Sequence, residues 1–480
     1  MNVKEGKKFI TDIGWILLGN ILIIAVTFLQ RLFIARLMGA EELGAFSLIM
    51  SIYAIGTVLI TVGLPAALTK YIAEIKNVEQ KLRELSFAGL ILTGTSGIFF
   101  ACLFLIFSAS VSKLLNISHL SNIVILLAFI FPFSTVFYTS LAILNGKREM
   151  KSYAIFQALQ NILYLFITLI FLLFGYGLKS ILLALWISIS ISATILIIKQ
   201  RRYLFISIKI PNLILNVKRL IQFGIKVLST DFVNQVNIYA DVMLLGFFLS
   251  PEKVGYYTVA MSISRLIWVM PGCIQKITYP AASEYWTRND NIRLNEMVNK
   301  TIKYSSIISI ILGLGISFFA RDIIFTVFGE GFEAALIPML VLIWGIVLNG
   351  ALIKSLGGLL AAIGRPELSL KVDTISVVIN ISLNLFLIPK YGILGAAIAK
   401  TFSLMSNTII KICLFLKIVK LKLELKPFYL IAATAIVLTF IKWLINSPAS
   451  SFFLFTIYIL IIFKFYIYSE GTKFIKSFFK

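Results

Sequence analysis

The sequence predicts an all-α integral membrane protein with fourteen transmembrane helices, arranged as two six-helix lobes followed by two C-terminal helices. Three observations predict this fold: the composition, the placement of the basic residues and an internal repeat. The chain has 480 residues, of which 59% are hydrophobic and 14% charged, and its mean hydropathy is +0.97. Soluble domains typically carry about 25% charged residues, so the composition excludes a soluble protein.

Fourteen apolar runs are long enough to cross a hydrocarbon layer about 30 Å thick as helices. The first run follows the basic segment MNVKEGKK, is too long for a signal peptide and lacks a small-residue cleavage site, so we expect it to be retained. The predicted helices span residues 10–37, 43–73, 85–109, 121–144, 152–174, 178–199, 219–248, 255–280, 301–320, 334–360, 367–388, 392–417, 427–446 and 450–468.

Basic residues set the predicted orientation of these helices. The formal net charge is +23, with 44 Lys and Arg against 21 Asp and Glu. Most of the basic residues fall in the two tails and in alternate loops, whereas the opposite loops hold Lys113, Lys179, Lys253, Arg321 and Lys390. Because cytoplasmic segments of membrane proteins are enriched in Lys and Arg, both termini are predicted to be cytoplasmic. The positive charge is therefore explained by topology, and we expect no nucleic acid partner.

Cysteines, histidines and nucleotide motifs give no sign of catalytic or metal chemistry. Cys102, Cys273 and Cys413 are widely separated within apolar runs, and His119, the only histidine, falls in a short predicted loop. The sequence contains no GxxxxGK[ST] motif, so direct ATP hydrolysis is not expected. We therefore expect no metal, no cofactor and no enzymatic activity.

Four pairs of matching segments divide the chain into two copies of one unit. RLMGAEELGAFS at 36–47 matches FLSPEKVGYYT at 248–258, and the order continues with GLPAALTKYIAE and ITYPAASEYW, LNGKREM and AIGRPEL, and GYGLKSILLA and KYGILGAAIA. Each copy holds six helices, so both enter the membrane from the same side and should be related by an axis along the membrane normal. We expect Gly44 and Gly255, which are equivalent in the first pair, to supply backbone angles that other residues resist.

The repeat defines the predicted domains. Residues 1–200 form the N-terminal six-helix lobe and residues 219–417 form the C-terminal six-helix lobe. Between them, 201–218 is basic, amphipathic and interrupted by Pro211, which is typical of a cytoplasmic linker that lies along the headgroups. Predicted transmembrane helices 13 and 14, within 427–468, belong to neither copy.

Polar and charged side chains form stripes on several predicted helices. A charge at the bilayer centre costs about 2.5–3.5 kcal/mol on insertion scales, so such residues should face a cavity or a partner. We expect the stripes of predicted helices 1, 7, 8, 11 and 12 to line a wet central cavity between the lobes. The candidate substrate-binding residues are Asn20, Arg31, Lys226, Asn237, Arg265, Trp268, Asn380 and Lys400, and the candidate ion-coupling carboxylates are Asp231 and Asp241.

These candidates also have purely structural explanations. Arg31 can extend its long side chain to the outer headgroups, since predicted helix 1 ends soon after it. Lys226 can act as an anchor at the cytoplasmic interface, and Asp241 can neutralise an arginine in an ion pair. Arg265 is harder to explain in this way, because it lies well inside predicted helix 8.

Three segments carry a resemblance to a known superfamily. ARLMGAEELGAFSL at 35–48, GLPAALTKYIAE at 63–74 and DVMLLGFFLSPEKVGYYTVA at 241–260 resemble the multidrug/oligosaccharidyl-lipid/polysaccharide (MOP) exporters, and within them the polysaccharide and O-antigen flippases. The resemblance implies a cell-membrane flippase that moves a polyprenyl-phosphate- or pyrophosphate-linked oligosaccharide to the outer leaflet by alternating access. It implies as partners that lipid-linked oligosaccharide, membrane lipids, a coupling ion such as H⁺ or Na⁺, and polysaccharide assembly proteins.

Three alternative functions remain open. A multidrug or cation exporter of the same superfamily would favour buried carboxylates, whereas most charged candidates are cations, which favour an anionic substrate. The lipid II flippase resembles the expected protein in helix number and cavity charge, so charge does not separate the two. A membrane-embedded glycan polymerase or transferase is disfavoured, because the predicted extracytoplasmic loops are short and no histidine falls in a predicted helix.

Overall fold

The computed structural model describes residues 3–75, 79–115, 121–204 and 210–419, together with 422–423, 433, 437 and 454–458. Within these residues the regular structure is helical throughout, which confirms the all-α class. His119 and almost all of predicted helices 13 and 14 lie outside the described residues.

Fifteen α-helices are described, and five short 3₁₀ or π turns interrupt or extend them. The helices are α1 Val3–Thr61, α2 Leu64–Glu74, α3 Glu79–Leu114, α4 Ser121–Val124, α5 Leu126–Gly146, α6 Met150–Leu173, α7 Lys179–Leu204, α8 Ile210–Phe248, α9 Pro251–Ser264, α10 Val269–Thr287, α11 Asn291–Phe318, α12 Ala320–Ile323, α13 Leu336–Leu352, α14 Leu359–Ala362 and α15 Pro366–Leu414. The short turns are Arg265–Trp268, Ile324–Phe328, Glu330–Ala335, Lys354–Leu356 and Phe415–Val419.

Nine helical segments among the described residues are long and apolar enough to cross a membrane. Two of them contain a glycine break, α1 at Gly39 with φ 86° and α15 at Gly392 with φ 59°. Gly39 falls between predicted helices 1 and 2, and Gly392 is the first residue of predicted helix 12. Helix α1 therefore holds predicted helix 1 and most of helix 2, and α15 holds predicted helix 11 and most of helix 12. Predicted helix 7 corresponds to α8, which carries Lys226, Asp231 and Asp241 along its length and is not among the nine. The total of fourteen helices stays a prediction.

Gly44 and Gly255 do not make turns as the sequence predicted. Neither has a positive φ, and the sharp change of direction in the first hairpin occurs at Gly39. The two residues instead allow close packing. A β-carbon on Gly44 would overlap the carbonyl of Pro251, and one on Gly255 would overlap the carbonyl of Ala40. The prediction of unusual backbone angles was therefore wrong. Glycine is needed at both positions because it has no side chain and so allows close contact between helices.

By its internal contacts the chain divides into two compact units, Met1–Gly255 and Tyr256–Lys480. In the first unit, α2 packs against α3, α5 and α8, and α6 packs against α1 and α7. The buried apolar cluster around α2 contains Leu64, Ala67, Leu68, Leu85, Ile143 and Leu220. Helix α8 thus packs with the first unit, whereas the repeat assigns predicted helix 7 to the second copy. The lobe boundaries derived from the repeat stay a prediction.

A two-residue break at Val62 and Gly63 separates α1 from α2. Both residues have positive φ, 48° and 66°, so the helical hydrogen-bond pattern is interrupted there. Pro65 lies in the first turn of α2, where a missing N–H has no intrahelical partner to lose. Without a side chain, Gly63 also lies directly against the backbone of Gly224 in α8. The break therefore both restarts the chain as α2 and brings α8 close to it.

The second unit contains α10, α11, α13 and α15 as its long helices. Helix α11 packs against α10 and α13, and α13 packs against α15. The carboxylate of Asp290 caps the start of α11 by accepting a hydrogen bond from the backbone N–H of Arg293 at 3.1 Å. A β-carbon on Gly345 would lie only 2.9 Å from the Cα of Thr401, so this glycine sets the close approach of α13 and α15.

Predicted helix 8 is divided by the 3₁₀ turn Arg265–Trp268, which joins α9 to α10. Pro271 explains where the turn occurs, because proline has no N–H to donate to the carbonyl four residues earlier and its ring crowds that carbonyl. The carbonyl concerned is that of Ile267, inside the turn. The helix therefore tightens at Arg265 and Trp268, two of the candidate binding residues.

We expect Gly255→Ala to destabilise the protein. The added methyl group would overlap the backbone carbonyl of Ala40, and overpacking of this kind typically costs about 1–3 kcal/mol. Gly94→Ala is the matched control, because no atom lies within 4 Å of a β-carbon at Gly94 and alanine is the better helix former. Thermal unfolding in detergent should give a lower midpoint for Gly255→Ala alone. Equal midpoints for the two variants would contradict the proposed backbone contact.

Candidate functional site

The two arms of α15, before and after Gly392, are joined by a ladder of polar contacts. Ser403 donates a hydrogen bond from Oγ to the carbonyl of Ser376 at 2.7 Å. Asn407 donates from Nδ2 to Oγ of Ser376 at 3.0 Å and to Oδ1 of Asp373 at 2.9 Å. The three donor and acceptor side chains Ser376, Ser403 and Asn407 are buried. Together these bonds fix the register between the two arms.

Asp373 is the centre of this ladder. Its Oδ1 also accepts a hydrogen bond from Nζ of Lys411 at 2.8 Å, and its Oδ2 accepts one from Oγ of Ser369 at 3.2 Å. The side chains of Lys411 and Asp373 are only 9% and 22% exposed. A charge removed from water in this way needs a close partner, so the pair stabilises both side chains in their positions.

Asn380 and Lys400 extend the ladder toward Gly392. Asn384 donates from Nδ2 to Oδ1 of Asn380 at 3.2 Å, and both asparagines are fully buried. Lys400 is 3% exposed and takes part in at least one polar or electrostatic interaction. The pairing of Ser376 with Ser403 sets a register in which Asn380 and Lys400 lie opposite each other. These two predicted site residues therefore lie inside the polar ladder.

Trp268 and Lys354 lie beside the charged end of the ladder. Trp268 donates from Nε1 to the carbonyl of Ile346 at 3.2 Å, which fixes its indole ring against α13. The ammonium of Lys354 lies 5.4 Å from the centroid of that ring, within the range of a cation–π interaction. Lys354 also interacts electrostatically with Asp373, favourably, and with Lys411 and Arg265, unfavourably.

We refer to Arg265, Lys354, Lys411, Asp373 and Trp268 as the cationic cluster. Three of its members are positively charged and one is negatively charged, so the cluster has excess positive charge. Arg265 and Lys354 are half-buried, which places this charge where water screens it weakly. A planar guanidinium beside two ammonium groups is suited to bind an oxyanion such as phosphate.

The remaining candidates belong to the first unit, on α1 and α8. Asn20 donates from Nδ2 to the carbonyl of Ile16 in its own helix at 2.7 Å. Arg31 and Asn237 are half-buried, and each takes part in at least one polar or electrostatic interaction. Lys226 and Asp241 lie in different environments: Asp241 is 1% exposed, whereas Lys226 is exposed.

The structure thus brings together some of the predicted site residues. Arg265 and Trp268 both lie in the cationic cluster, and Asn380 and Lys400 are buried on the two arms of α15. Asp231, half-buried on α8, lies about ten residues from Asp241 along the same helix, which corresponds to about 15 Å. The expectation that residues of the two lobes jointly line a central cavity stays a prediction.

Sequence reasoning did not select Lys354, Asp373 or Lys411 as candidate binding residues, although Asp373 and Lys411 belong to the polar stripes of predicted helices 11 and 12. Lys354 lies near the cytoplasmic end of predicted helix 10, where a lysine is usually an interfacial anchor. Asp373 and Lys411 lie near the ends of predicted helices 11 and 12 and invite the same explanation. The signal that could have found the pair is the antiparallel hairpin itself, since residues near the open ends of its arms must lie side by side.

Comparison with known families gives one match over most of the chain. A family model described as polysaccharide biosynthesis protein matches residues 33–337. Two proteins of Haloferax volcanii, the probable low-salt glycan biosynthesis flippase Agl15 and the probable flippase AglR, are each 28% identical, over 172 and 178 residues. These alignments cover 36% of this chain and only 36% and 37% of the two relatives. An uncharacterized membrane protein of Methanocaldococcus jannaschii is 26% identical over 495 residues, 96% of both chains.

Solved structures share the fold over nearly the whole chain. The lipid II flippase MurJ, in an inward closed conformation, matches with a TM-score of 0.76 at 17% identity and covers 93% of this chain and 98% of that one. An inward-facing multidrug resistance MATE family transporter of the MOP superfamily matches with a TM-score of 0.69 at 15% identity, over 82% and 94%. At these identities the likeness concerns the fold alone.

We expect the Asp373–Lys411 pair to contribute measurably to stability. A double-mutant cycle of Asp373→Ala and Lys411→Ala should give a coupling free energy of about 2 kcal/mol, because the pair is largely removed from water. The control is the exposed pair of Glu284 and Arg288, which lie four residues apart at the end of α10 and for which about 0.3–0.5 kcal/mol is expected. Reversible unfolding in mixed detergent measures both. Equal coupling in the two pairs would contradict the assignment.

Proposed function

The chain belongs to the polysaccharide biosynthesis protein family and has the fold of the MOP superfamily, and on this basis we propose that it is a flippase for a lipid-linked oligosaccharide. The oligosaccharide is carried on a polyprenyl phosphate or pyrophosphate and moves from the cytoplasmic to the outer leaflet of the cell membrane. The similarity to Agl15 and AglR, both described as flippases, supports this function. In the proposed topology both termini are cytoplasmic, and polysaccharide assembly proteins are the expected partners.

The cationic cluster is the observation that carries the proposal. The phosphate or pyrophosphate is the anionic part of a lipid-linked sugar and strongly hydrated, so it cannot cross hydrocarbon without compensating charge. Arg265 can bind two phosphate oxygens in one plane, while Lys354 supplies a point charge beside it. Asp373 offsets part of the repulsion among the cations and holds Lys411 in place.

The other candidates have supporting roles in this proposal. Arg31 supplies a second guanidinium, in the first unit, and Asn20 and Asn237 supply amides that can bond to sugar hydroxyls. Lys226 contributes positive charge nearer the cytoplasm. Asn380 and Lys400 are too deeply buried in the ladder to reach a bulky headgroup directly, so we assign them to positioning the arms of α15.

We propose that transport occurs by alternating access, with the polar headgroup inside the protein and the polyprenyl chain in the bilayer. The sequence has no nucleotide-binding loop, so an ion gradient or the membrane potential is the expected energy source. Asp231 and Asp241 are the carboxylates proposed to couple to H⁺ or Na⁺. Asp241 is buried and Asp231 half-buried on α8, and because burying a carboxylate is costly, its retention there favours a functional role.

Lipid II transport is the second candidate function. It is favoured by the high structural likeness to MurJ, and lipid II is also a polyprenyl pyrophosphate, which the cationic cluster would suit equally well. Export of organic cations is disfavoured, because three cations beside one carboxylate would repel such a substrate. The oligosaccharide flippase and the lipid II flippase therefore differ in the identity of the headgroup. Both differ from a cation exporter in the charge of the substrate.

We expect Arg265→Ala to reduce flipping of the lipid-linked oligosaccharide by at least about tenfold, since a charge-assisted hydrogen bond contributes about 1.5–3 kcal/mol. The control is Arg288→Ala, because Arg288 is exposed and pairs with Glu284 outside the cluster. Accumulation of the lipid-linked oligosaccharide in the inner leaflet of cells that express each variant gives the readout, with protein level in the membrane measured in parallel. Normal export with Arg265→Ala would refute the role of the cluster.

We expect Asp241→Asn to uncouple transport from the ion gradient. The amide keeps the shape of the carboxylate but cannot exchange a proton or balance a bound Na⁺. In proteoliposomes, an imposed pH or Na⁺ gradient should accelerate flipping by the native protein and have no effect on the variant. Asp322→Asn is the control, because Asp322 is an exposed acid in the first turn of α12. An unchanged response in Asp241→Asn would leave Asp231 as the remaining candidate.

A further inference from the structure

A cavity of about 770 Å³ lies inside the first unit, between α1, α2, α5, α6 and α8. The candidate binding residues from the sequence are not among those that line it. Its volume is within the range of roughly 300–1,000 Å³ found for small-molecule sites. On α1 and α2 its lining residues run from Met50 to Lys70, and the side chain of Lys70 is 45% exposed. The cavity therefore reaches the surface at the end of α2 that the charge distribution predicts to be cytoplasmic.

Four tyrosines line this cavity: Tyr53, Tyr138, Tyr153 and Tyr239. Tyr53 is held in place, because its hydroxyl lies 2.9 Å from Oγ of Ser134 and its ring stacks on Phe131 at an interplanar angle of 11°. Tyr138 forms a side-chain hydrogen bond with Tyr53. A tyrosine offers a flat apolar face and a polar hydroxyl, which suits a sugar ring with C–H groups on one face and hydroxyls at its edge.

Side-chain amides supply hydrogen-bonding groups of both kinds. Asn145, Gln157 and Gln235 line the cavity, and each amide can donate and accept, as a sugar hydroxyl also does. The side-chain oxygen of Gln235 is buried and accepts no hydrogen bond from the described residues. A rotation of this amide toward a bound hydroxyl would supply the missing bond and remove the cost of leaving a buried acceptor unsatisfied.

Threonines add acceptors to the same wall. The hydroxyl of Thr57 donates to the carbonyl of Tyr53 at 2.7 Å, and the hydroxyl of Thr61 donates to the carbonyl of Thr57 at 2.9 Å. Thr69 donates to the carbonyl of Pro65 at 2.9 Å. With their protons committed in this way, these hydroxyl oxygens face a ligand as acceptors. They complement the hydroxyl donors of a sugar.

The nearly uncharged lining favours a neutral sugar over an organic cation as the ligand. Among the described residues that line the cavity, Lys70 alone is charged, and it lies at the mouth, 3.9 Å from the carboxylate of Glu74. No carboxylate belongs to this set of lining residues, so a cationic ligand would find no counter-ion inside. Rings and neutral hydrogen-bonding groups without charge are the chemistry that recognises a neutral carbohydrate.

We propose that this cavity binds neutral sugar residues of the lipid-linked glycan, so that the first unit recognises the glycan separately from its phosphate. The inference rests on the proposed flippase function and adds a site for the sugar to it. It predicts that a glycosylated polyprenyl pyrophosphate binds more tightly than the bare polyprenyl pyrophosphate. It also predicts that substitutions in the cavity remove this difference without affecting the binding of the bare lipid.

The experiment compares two probes on the purified full-length protein in detergent, undecaprenyl pyrophosphate and undecaprenyl pyrophosphate bearing one N-acetylglucosamine. We expect the native protein to bind the glycosylated probe at least about tenfold more tightly, a difference of about 1.4 kcal/mol. In Gln157→Leu this ratio should fall toward one, with the affinity for the bare probe unchanged. Tyr239→Phe, which keeps the ring and removes the hydroxyl, provides a second variant that preserves shape if Gln157→Leu fails to fold.

Gln160→Leu is the matched control, since Gln160 lies one turn further along α6, is buried, and donates to Oγ of Ser188 away from the cavity. It should keep the native ratio. A native ratio in both folded cavity variants would overturn the inference and leave the proposed function intact. Failure of the native protein to bind either probe would refute the proposed function, and this inference with it. Binding of tetraphenylphosphonium that Gln157→Leu abolishes, without any preference for the glycosylated probe, would assign the cavity to organic cations instead.

Discussion

Hydrocarbon offers no hydrogen-bond partner to a polar group, and this constraint determines where the polar side chains of this protein lie. Many hydroxyls on its helices donate to a carbonyl one turn earlier, as Ser264 does to Ala260 at 2.7 Å. Others bond across helices, as Thr139 does to Thr93 at 3.0 Å. Lysines follow the same rule, since Lys411 is buried only with Asp373 against it. Polar groups beyond these pairings mark the places where a hydrated molecule can be bound.

The same environment explains why glycines matter so much to the packing. Lipid tails are as apolar as leucine, so helices gain little by burying apolar side chains and gain more by close backbone contact. Gly63 and Gly224 bring α2 and α8 together in this way, and Gly246 lies against the side chain of Leu48. Helix α8, which holds Asp231 and Asp241, is therefore positioned by its backbone.

The sequence predicted the fold class and much of the helix order, because long apolar runs and the distribution of basic residues are local signals. It did not predict where helices break. Gly39 and Gly392 turn the chain within a single residue, whereas the hydropathy pattern indicated longer connections. The cationic cluster was half predicted: Arg265 is conspicuous inside an apolar run, but Lys354 near a helix end looks like an anchor until tertiary packing places it beside Trp268. The tyrosine-lined cavity was missed for a similar reason, since tyrosines in apolar helices look like ordinary core residues.

A 3₁₀ helix advances about 120° per residue and an α-helix about 100°, so the four residues of the turn before α10 rotate everything after Trp268 by roughly 80°. A helical wheel drawn through the whole of predicted helix 8 therefore assigns the wrong azimuth to the residues of α10. Side chains that the wheel would align with Arg265 are displaced by nearly a quarter turn. Helices α9 and α10 therefore present different faces to their neighbours, and the faces of each helix have to be assigned from a separate helical wheel.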